Sequence, residues 1–259
     1  MDFTDSVLLI ALGLFIGMLL SAEIGRRFGL ATLRRNPEGL AKGIGAVEGA
    51  VYGLLGLIIA FTFSGAVSRF EHRRHLLTEE ANAIGTAWLR LDLLPKDVQP
   101  GMKELFRRYL DDRIAAYRNV EDVAGTKAAM DRSIALQGEI WARSIAAVDR
   151  PEVAKQAGMV VLTSQNAMID ITTTRTTATR NHPPVVILVL FFILCFVGSM
   201  LAGYNMSANK TRQWFHTLAY TTILSLTVFV ILDLEFPRRG LVRVDNADKV
   251  LVDLRQSMK

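Results

Sequence analysis

The sequence is poor in the residues that carry most catalytic and metal chemistry. It has one cysteine, Cys195, inside an apolar run. A disulfide within the chain is therefore excluded, and so is a cysteine-based metal site. Only four histidines are present, and only His72 and His75 stand close together. With Glu71 and Glu79 they share a helical face, but the pattern is not His-Glu-x-x-His and lacks a third ligand. A solvated, charged helix face is the simpler reading. No nucleophile-base set, P-loop or Gly-x-Gly-x-x-Gly turn in a βαβ setting occurs, so neither an enzyme nor a bound cofactor is expected. No alternating run is long enough for a strand. No nucleic-acid motif accompanies the net charge of +5. A basic chain this apolar meets lipid headgroups rather than nucleic acid. A cleavable signal is not expected either. Asp2 and Asp5 precede the first apolar run without Lys or Arg, and no small-x-small site follows it.

What is present is apolar helix. Hydrophobic residues make up 51% of the 259, and the mean hydropathy is +0.28. Crossing a bilayer takes about 20 apolar residues, and four runs approach or exceed that length: 6–22, 43–66, 185–206 and about 215–234. Residues 96–180 read as soluble helices. Met102, Leu105, Phe106, Tyr109, Leu110, Ile114 and Tyr117 form one stripe. Met130, Ile134, Gln137, Trp141, Ile145 and Val148 form a second. Asp149 with Pro151 reads as the start of a third helix, carrying Val153, Val160, Val161, Met168 and Ile171. The expected fold is all-α: an integral membrane protein with four transmembrane helices and a helical soluble insert between spans two and three. Its parts are 1–67 (spans one and two), 68–182 (insert), 183–235 (spans three and four) and 236–259. That last part is a tail ending in a short amphipathic helix with Val250, Leu251, Leu254 and Met258 on one side.

The stretch from 43 to 94 organises the rest. Its apolar half passes into a charged half with no proline to stop a helix, until Leu94-Pro95. One seam runs through both, as Gly45, Gly49, Gly53, Gly56, Ala60, Phe63, Val67 and Phe70, then Leu77, Ala81, Ile84, Trp88 and Leu91. Small residues allow close helix approach inside a membrane. Large ones favour burial outside it. The spacing predicts one long helix, up to about 75 Å at ~1.5 Å per residue. It would pack along its whole seam and self-associate through Gly45, Gly49 and Gly56. The first span carries a weaker small-residue pair, Gly13 and Gly17. Arg26, Arg27, Arg34, Arg35 and Lys42 read as a basic loop at a headgroup surface, broken at Asn36-Pro37.

The layout puts both termini and the insert on one side of the membrane. Seven basic residues in the short loops face six in the tail, so the positive-inside rule does not choose. The asymmetry around the first span alone places the insert outside. Intramembrane carboxylates often line polar paths, which makes Glu48 a functional candidate. Its place near one end of its span equally allows a structural or solvated role.

The stretch Leu54-Leu55-Gly56-Leu57, with Phe61 eight residues before Arg69, resembles the second transmembrane helix of bestrophins. Phe70-Glu71 stands where those proteins have a double Trp. The whole chain is more similar still to the bacterial bestrophin-like family. The residues that carry this likeness are the run from Glu79 to Ala87, Leu91-Asp92-Leu93-Leu94-Pro95, Met168-Ile169-Asp170, Arg175, Arg180 and the stretch from Asp233 to Pro237. The bestrophin resemblance implies a homo-oligomeric, pentameric ion channel in a bacterial inner membrane, with small inorganic ions as partners and the insert cytoplasmic. It implies a pore lined by the second helix. Leu57 and Phe61 would form a hydrophobic neck, with Gly53 one turn earlier where a bulky residue is expected. By their charge and position, Glu48, Arg69 and Arg73 are candidate charges at a pore mouth. The resemblance makes Asp233 and Glu235 weak candidates for a cation site. The competing reading is a non-conducting membrane scaffold or stress-signalling protein whose insert binds partners.

Overall fold

The computed structural model describes residues 3–35, 44–118, 122–209, 212, 214–238, 240–242 and 245–259. It is all helical among those residues. The helices are α1 (Phe3–Arg35), α2 (Ile44–Arg90), α3 (Gln99–Arg118), α4 (Val123–Val148), α5 (Lys155–Arg180), α6 (Val185–Met206), α7 (Trp214–Glu235) and α8 (Asp245–Ser257). Four of them, α1, α2, α6 and α7, are long and apolar enough to cross a membrane. The chain divides into two compact units. One is Met1–Phe70 with His182–Val242, and the other is Glu71–Asn181 with Arg243–Lys259.

In the first unit α1 runs along α6 and α7. It does not stop at Ala22. The residues expected as a basic loop, Arg26, Arg27, Arg34 and Arg35, are helical. No proline interrupts the chain before position 37, and Glu23 supports the extra turns by accepting from Arg27 Nε at 3.1 Å, one turn away. Asn36-Pro37, Lys42 and Gly43 lie outside the described residues. Glycines let α1 and α6 touch backbone to backbone. A Cβ at Gly25 would collide with the Met200 carbonyl, and one at Gly203 with that of Ala22. The predicted pair is less telling: Gly17 abuts Phe196, while Gly13 meets nothing within 4 Å. Leu14, Met18, Phe191, Cys195, Val228 and Ile231 fill the core between these helices.

In the second unit the seam of α2 is buried as expected. Leu77, Ile84 and Leu91 are inaccessible, and Trp88 packs half-buried against the Phe106 ring at 6.4 Å. A short 3-10 turn, Leu91–Leu93, ends the helix. Leu94 is extended ahead of Pro95, and Gln99 Nε2 donates to the Leu94 carbonyl at 2.8 Å. The stripe of α3 is buried at Met102, Phe106, Tyr109 and Leu110. That of α4 is rotated from the predicted one, with the buried Gln137 common to both. Ile134 and Ile145 are exposed, while Ala129, Ser133, Ile140, Ser144 and Ala147 are buried. Small side chains let the helices approach, and each buried hydroxyl finds a partner within reach. Ser133 Oγ donates to the Met130 carbonyl at 2.7 Å, and Ser144 Oγ accepts from Gln165 Nε2 at 2.6 Å. Asp149 ends α4 instead of starting α5, because its N–H returns to the Ile145 carbonyl at 3.1 Å. The next helix begins at Lys155, and its Val160 is exposed. Helix α8 lays Leu251 and Met258 on this core, with Val250 and Leu254 partly covered.

Candidate ion pathway along the second helix

Within the chain, the membrane half of α2 is held mainly by a face different from the glycines of the predicted seam. Leu55 and Ala66 are buried in the core. One turn before Leu55, Tyr52 Oη donates to the Gly198 carbonyl at 3.1 Å, and its ring meets Tyr220 edge-on at 6.2 Å. One turn earlier again, the buried Glu48 carboxylate accepts from the Asn205 amide, while its Oε1 has no partner. No neighbouring helix runs in close backbone contact along α2 among the described residues, so these long side chains bridge the distance. The glycine part of the predicted stripe stays open, while Val67 and Phe70 further along it pack partly on this core. A Cβ added at Gly45, Gly49, Gly53 or Gly56 would meet nothing within 4 Å.

The proposed neck residues lie on a third face. At about 100° per residue, Gly53, Leu57 and Phe61 form a row roughly opposite Leu55 and Ala66. Their offset from Gly49 and Gly56 is only about a third of a turn, less than the sequence reading supposed. Leu57 is 50% and Phe61 67% exposed.

The expected mouth charges have partners inside the chain. Arg69 donates from Nε to Glu235 Oε1 at 2.8 Å and from Nη2 to the same oxygen. His182 Nδ1 lies 3.5 Å from the other oxygen, and its ring stacks on Phe236 at 4.7 Å. Arg73 is buried and caps the end of α5, donating to the Ala178 carbonyl at 3.2 Å and the Asn181 carbonyl at 2.9 Å. A cation is favoured there because the last carbonyls of a helix carry partial negative charge. Asp233 accepts from the backbone N–H groups of Leu241 and Val242, both at 2.8 Å. The two carboxylates weighed as a cation site are thus engaged by the protein's own donors. No cluster of three His, Cys, Asp or Glu suited to a metal occurs among the described residues.

The insert holds a charged core that the sequence reading missed. Glu80 is fully buried, accepting from Arg113 Nε at 2.6 Å and from Arg175 Nη1. Arg113 Nη2 donates to Tyr117 Oη at 2.9 Å, and the Arg175 guanidinium lies 3.7 Å from the centre of that ring. Burial by itself would raise the Glu80 carboxyl, but the two guanidiniums hold it below the ordinary glutamate value. Burial would likewise lower Arg113, and Glu80 more than reverses this. The signal lay in the pattern. Arg113 falls one turn past Tyr109 on the apolar stripe, and Arg175 two turns past Met168. Tyr52, Asn205 and His182 were missed as well. Asn205 is the one amide side chain in the third apolar run.

The profile of the bestrophin-like domain matches residues 11–248. The chain belongs to the bestrophin-like family. Among curated proteins no sequence match is found. Solved structures of a bacterial bestrophin homologue from Klebsiella pneumoniae share the fold. One single-residue variant of it aligns with a TM-score of 0.64 at 11% identity, covering 94% of this chain and 99% of that one. A second aligns with a TM-score of 0.65 at 12% identity, over 93% and 98%. The resemblance to the bestrophin-like family, read from residues such as the run from Glu79 to Ala87 and the stretch from Asp233 to Pro237, is therefore borne out at the level of family and fold. The bestrophin-like chain keeps the arrangement of two spans, helical insert and two spans, with the second span continuing into the insert as one helix.

Proposed function

We propose that this protein is a homo-oligomeric ion channel, a pentamer in a bacterial inner membrane, with α2 lining the central path. One observation carries the reading. Only 11% of the apolar window of α2 is buried within the subunit, against 28 to 39% in the other three spans. A helix packed on one face has two faces left for neighbours and an axis. The open glycines at 45, 49 and 56 let a neighbouring copy approach closely. The row Gly53, Leu57 and Phe61 then turns to the axis, where rings of leucine and phenylalanine obstruct ions by excluding water. Arg69 follows about two turns after Phe61, rotated toward the packed face, and its charge is tempered by Glu235. Glu48 and Arg73 hold the subunit together and face away from the path. Both termini and the insert lie on the cytoplasmic side in this reading.

The test is ion flux into liposomes holding protein whose oligomeric state has been confirmed. Phe61→Ala removes one ring per subunit and leaves the glycine face intact, so flux should rise severalfold over wild type with assembly unchanged. Equal, near-zero flux from both proteins would instead favour a non-conducting scaffold that binds partners through its insert.

A further inference from the structure

We propose that a cleft at the end of the membrane unit opposite Glu235 binds the phosphate of an anionic phospholipid headgroup. Its walls come from Leu19, Glu23 and Arg26 of α1, Met206 of α6, Arg212 and Trp214. On α1 these positions follow steps of four and three, so they share one face. They sit where the apolar run of α1 gives way to charge, which is the depth of a headgroup. The charges in the cleft do not balance. Glu23 accepts from Arg27 at 3.1 Å and from Arg212 at 3.4 Å, so its negative charge is already met twice. Arg26 has no partner among the described residues, and its Nε–H is buried. A buried donor left unmade is costly, and a guanidinium fork matches two phosphate oxygens. Trp214 is 53% exposed, with the Arg212 guanidinium 5.4 Å from its ring centre. An indole at that depth suits the membrane interface, where one end is apolar and the other wet. Leu19 and Met206 offer apolar surface to the first carbons of a lipid, which a free phosphate lacks. None of this depends on conduction.

The test uses full-length protein purified in detergent, with bound lipid counted by native mass spectrometry. Wild type should retain phosphatidylglycerol in preference to phosphatidylethanolamine. Arg26→Gln should cut that retention about tenfold, as for one lost charge-assisted hydrogen bond. Arg34→Gln, exposed two turns further along α1, should not. The idea is overturned if Arg26→Gln retains the lipid as wild type does, or if Arg34→Gln loses it equally, which would mean diffuse surface charge. A second measurement compares thermal shifts of the wild type. Phosphatidylglycerol should raise Tm, and inorganic phosphate at millimolar concentration should not. An equal rise with inorganic phosphate would identify a free-anion site and overturn the lipid assignment.

Discussion

The two halves of α2 obey opposite rules, although they are one helix. In the insert half the apolar seam is closed: Leu77, Ala81, Ile84 and Leu91 are each 5% exposed or less, and Trp88 is half-buried. In the membrane half the same seam leaves room at Gly45, Gly49, Gly53 and Gly56, where an added Cβ would meet nothing within 4 Å, and packs on the core only further along, at Val67 and Phe70. Water makes apolar burial favourable, so a soluble helix does not leave its seam open. Lipid is as apolar as leucine, so that force is missing between spans, and close packing and hydrogen bonds decide instead. The subunit uses those where it can, at Tyr52 with Gly198 and at Gly25 with Met200. An open small-residue face in the membrane is thus no defect of the monomer.

Two glycine substitutions break this contrast most sharply. Gly203→Leu would drive a side chain into the backbone at Ala22. A helix backbone cannot yield as a side chain does, so the cost should exceed the ~1–3 kcal/mol usual for overpacking. Size-exclusion chromatography in detergent should show loss of the monodisperse protein. Gly49→Leu adds the same bulk where nothing lies within 4 Å. The subunit should fold normally, and only assembly, read by mass photometry, should weaken. Matching defects from the two variants would erase the distinction between closed and open glycine faces.

The next effect belongs to the insert. Glu80→Gln removes the carboxylate that both Arg113 and Arg175 share. Leaving buried guanidiniums uncompensated costs about 3–5 kcal/mol, measurable as a shift in urea denaturation followed by circular dichroism. The same contact gives a pH dependence with a definite sign. Folding lowers the Glu80 carboxyl below its ordinary value of 4.5. Its contribution is therefore complete above that value and is lost as pH falls through the lower folded value. Wild type should lose stability below about pH 4.5, and Glu80→Gln should lose less over the same interval. A wild-type profile no steeper than the variant's would show that the pair is not ionised as described.

The smallest effect tests the tail. Arg255 donates to both Asp111 oxygens at 2.8 and 3.1 Å, with a third to a half of each side chain exposed. Water screens such a pair, so Arg255→Ala should cost under ~1 kcal/mol. Leu251, which is 1% exposed, holds α8 through apolar contact instead. Leu251→Ala should cost several times more by the same denaturation assay.

How much of this was legible beforehand follows the same division. Met102, Phe106, Tyr109 and Ile84 were readable because helical periodicity reports burial when water drives packing. The α4 stripe was misread where small and polar residues, Ser133 and Ser144, displaced the larger Ile134 and Ile145 from the contact. Asp149 was misread because the same residue type can stand at either end of a helix, and only its N–H partner, Ile145, tells which. In the membrane the glycine pattern announced a packing face but not its occupant. Glu48, Arg69 and Arg73 announced charge but not their partners, because Asn205, Glu235 and Asn181 lie more than a hundred residues away.

By itself the sequence determined the local matters. Four apolar runs demand spans, and the lack of a breaker between positions 43 and 94 demands one helix. The bestrophin-like pattern rests on short runs such as Glu79 to Ala87 and Leu91 to Pro95. Hydropathy, helix propensity and motif spacing depend only on neighbours along the chain, so a chain of residues suffices to state them. Tertiary structure alone decided which face of each helix is used and which charge is matched. Leu55 rather than Gly56 meets the core, and Glu235 rather than solvent meets Arg69. Those outcomes depend on distances between segments remote in sequence, where a rotation of about 100° or a shift of one turn exchanges every partner.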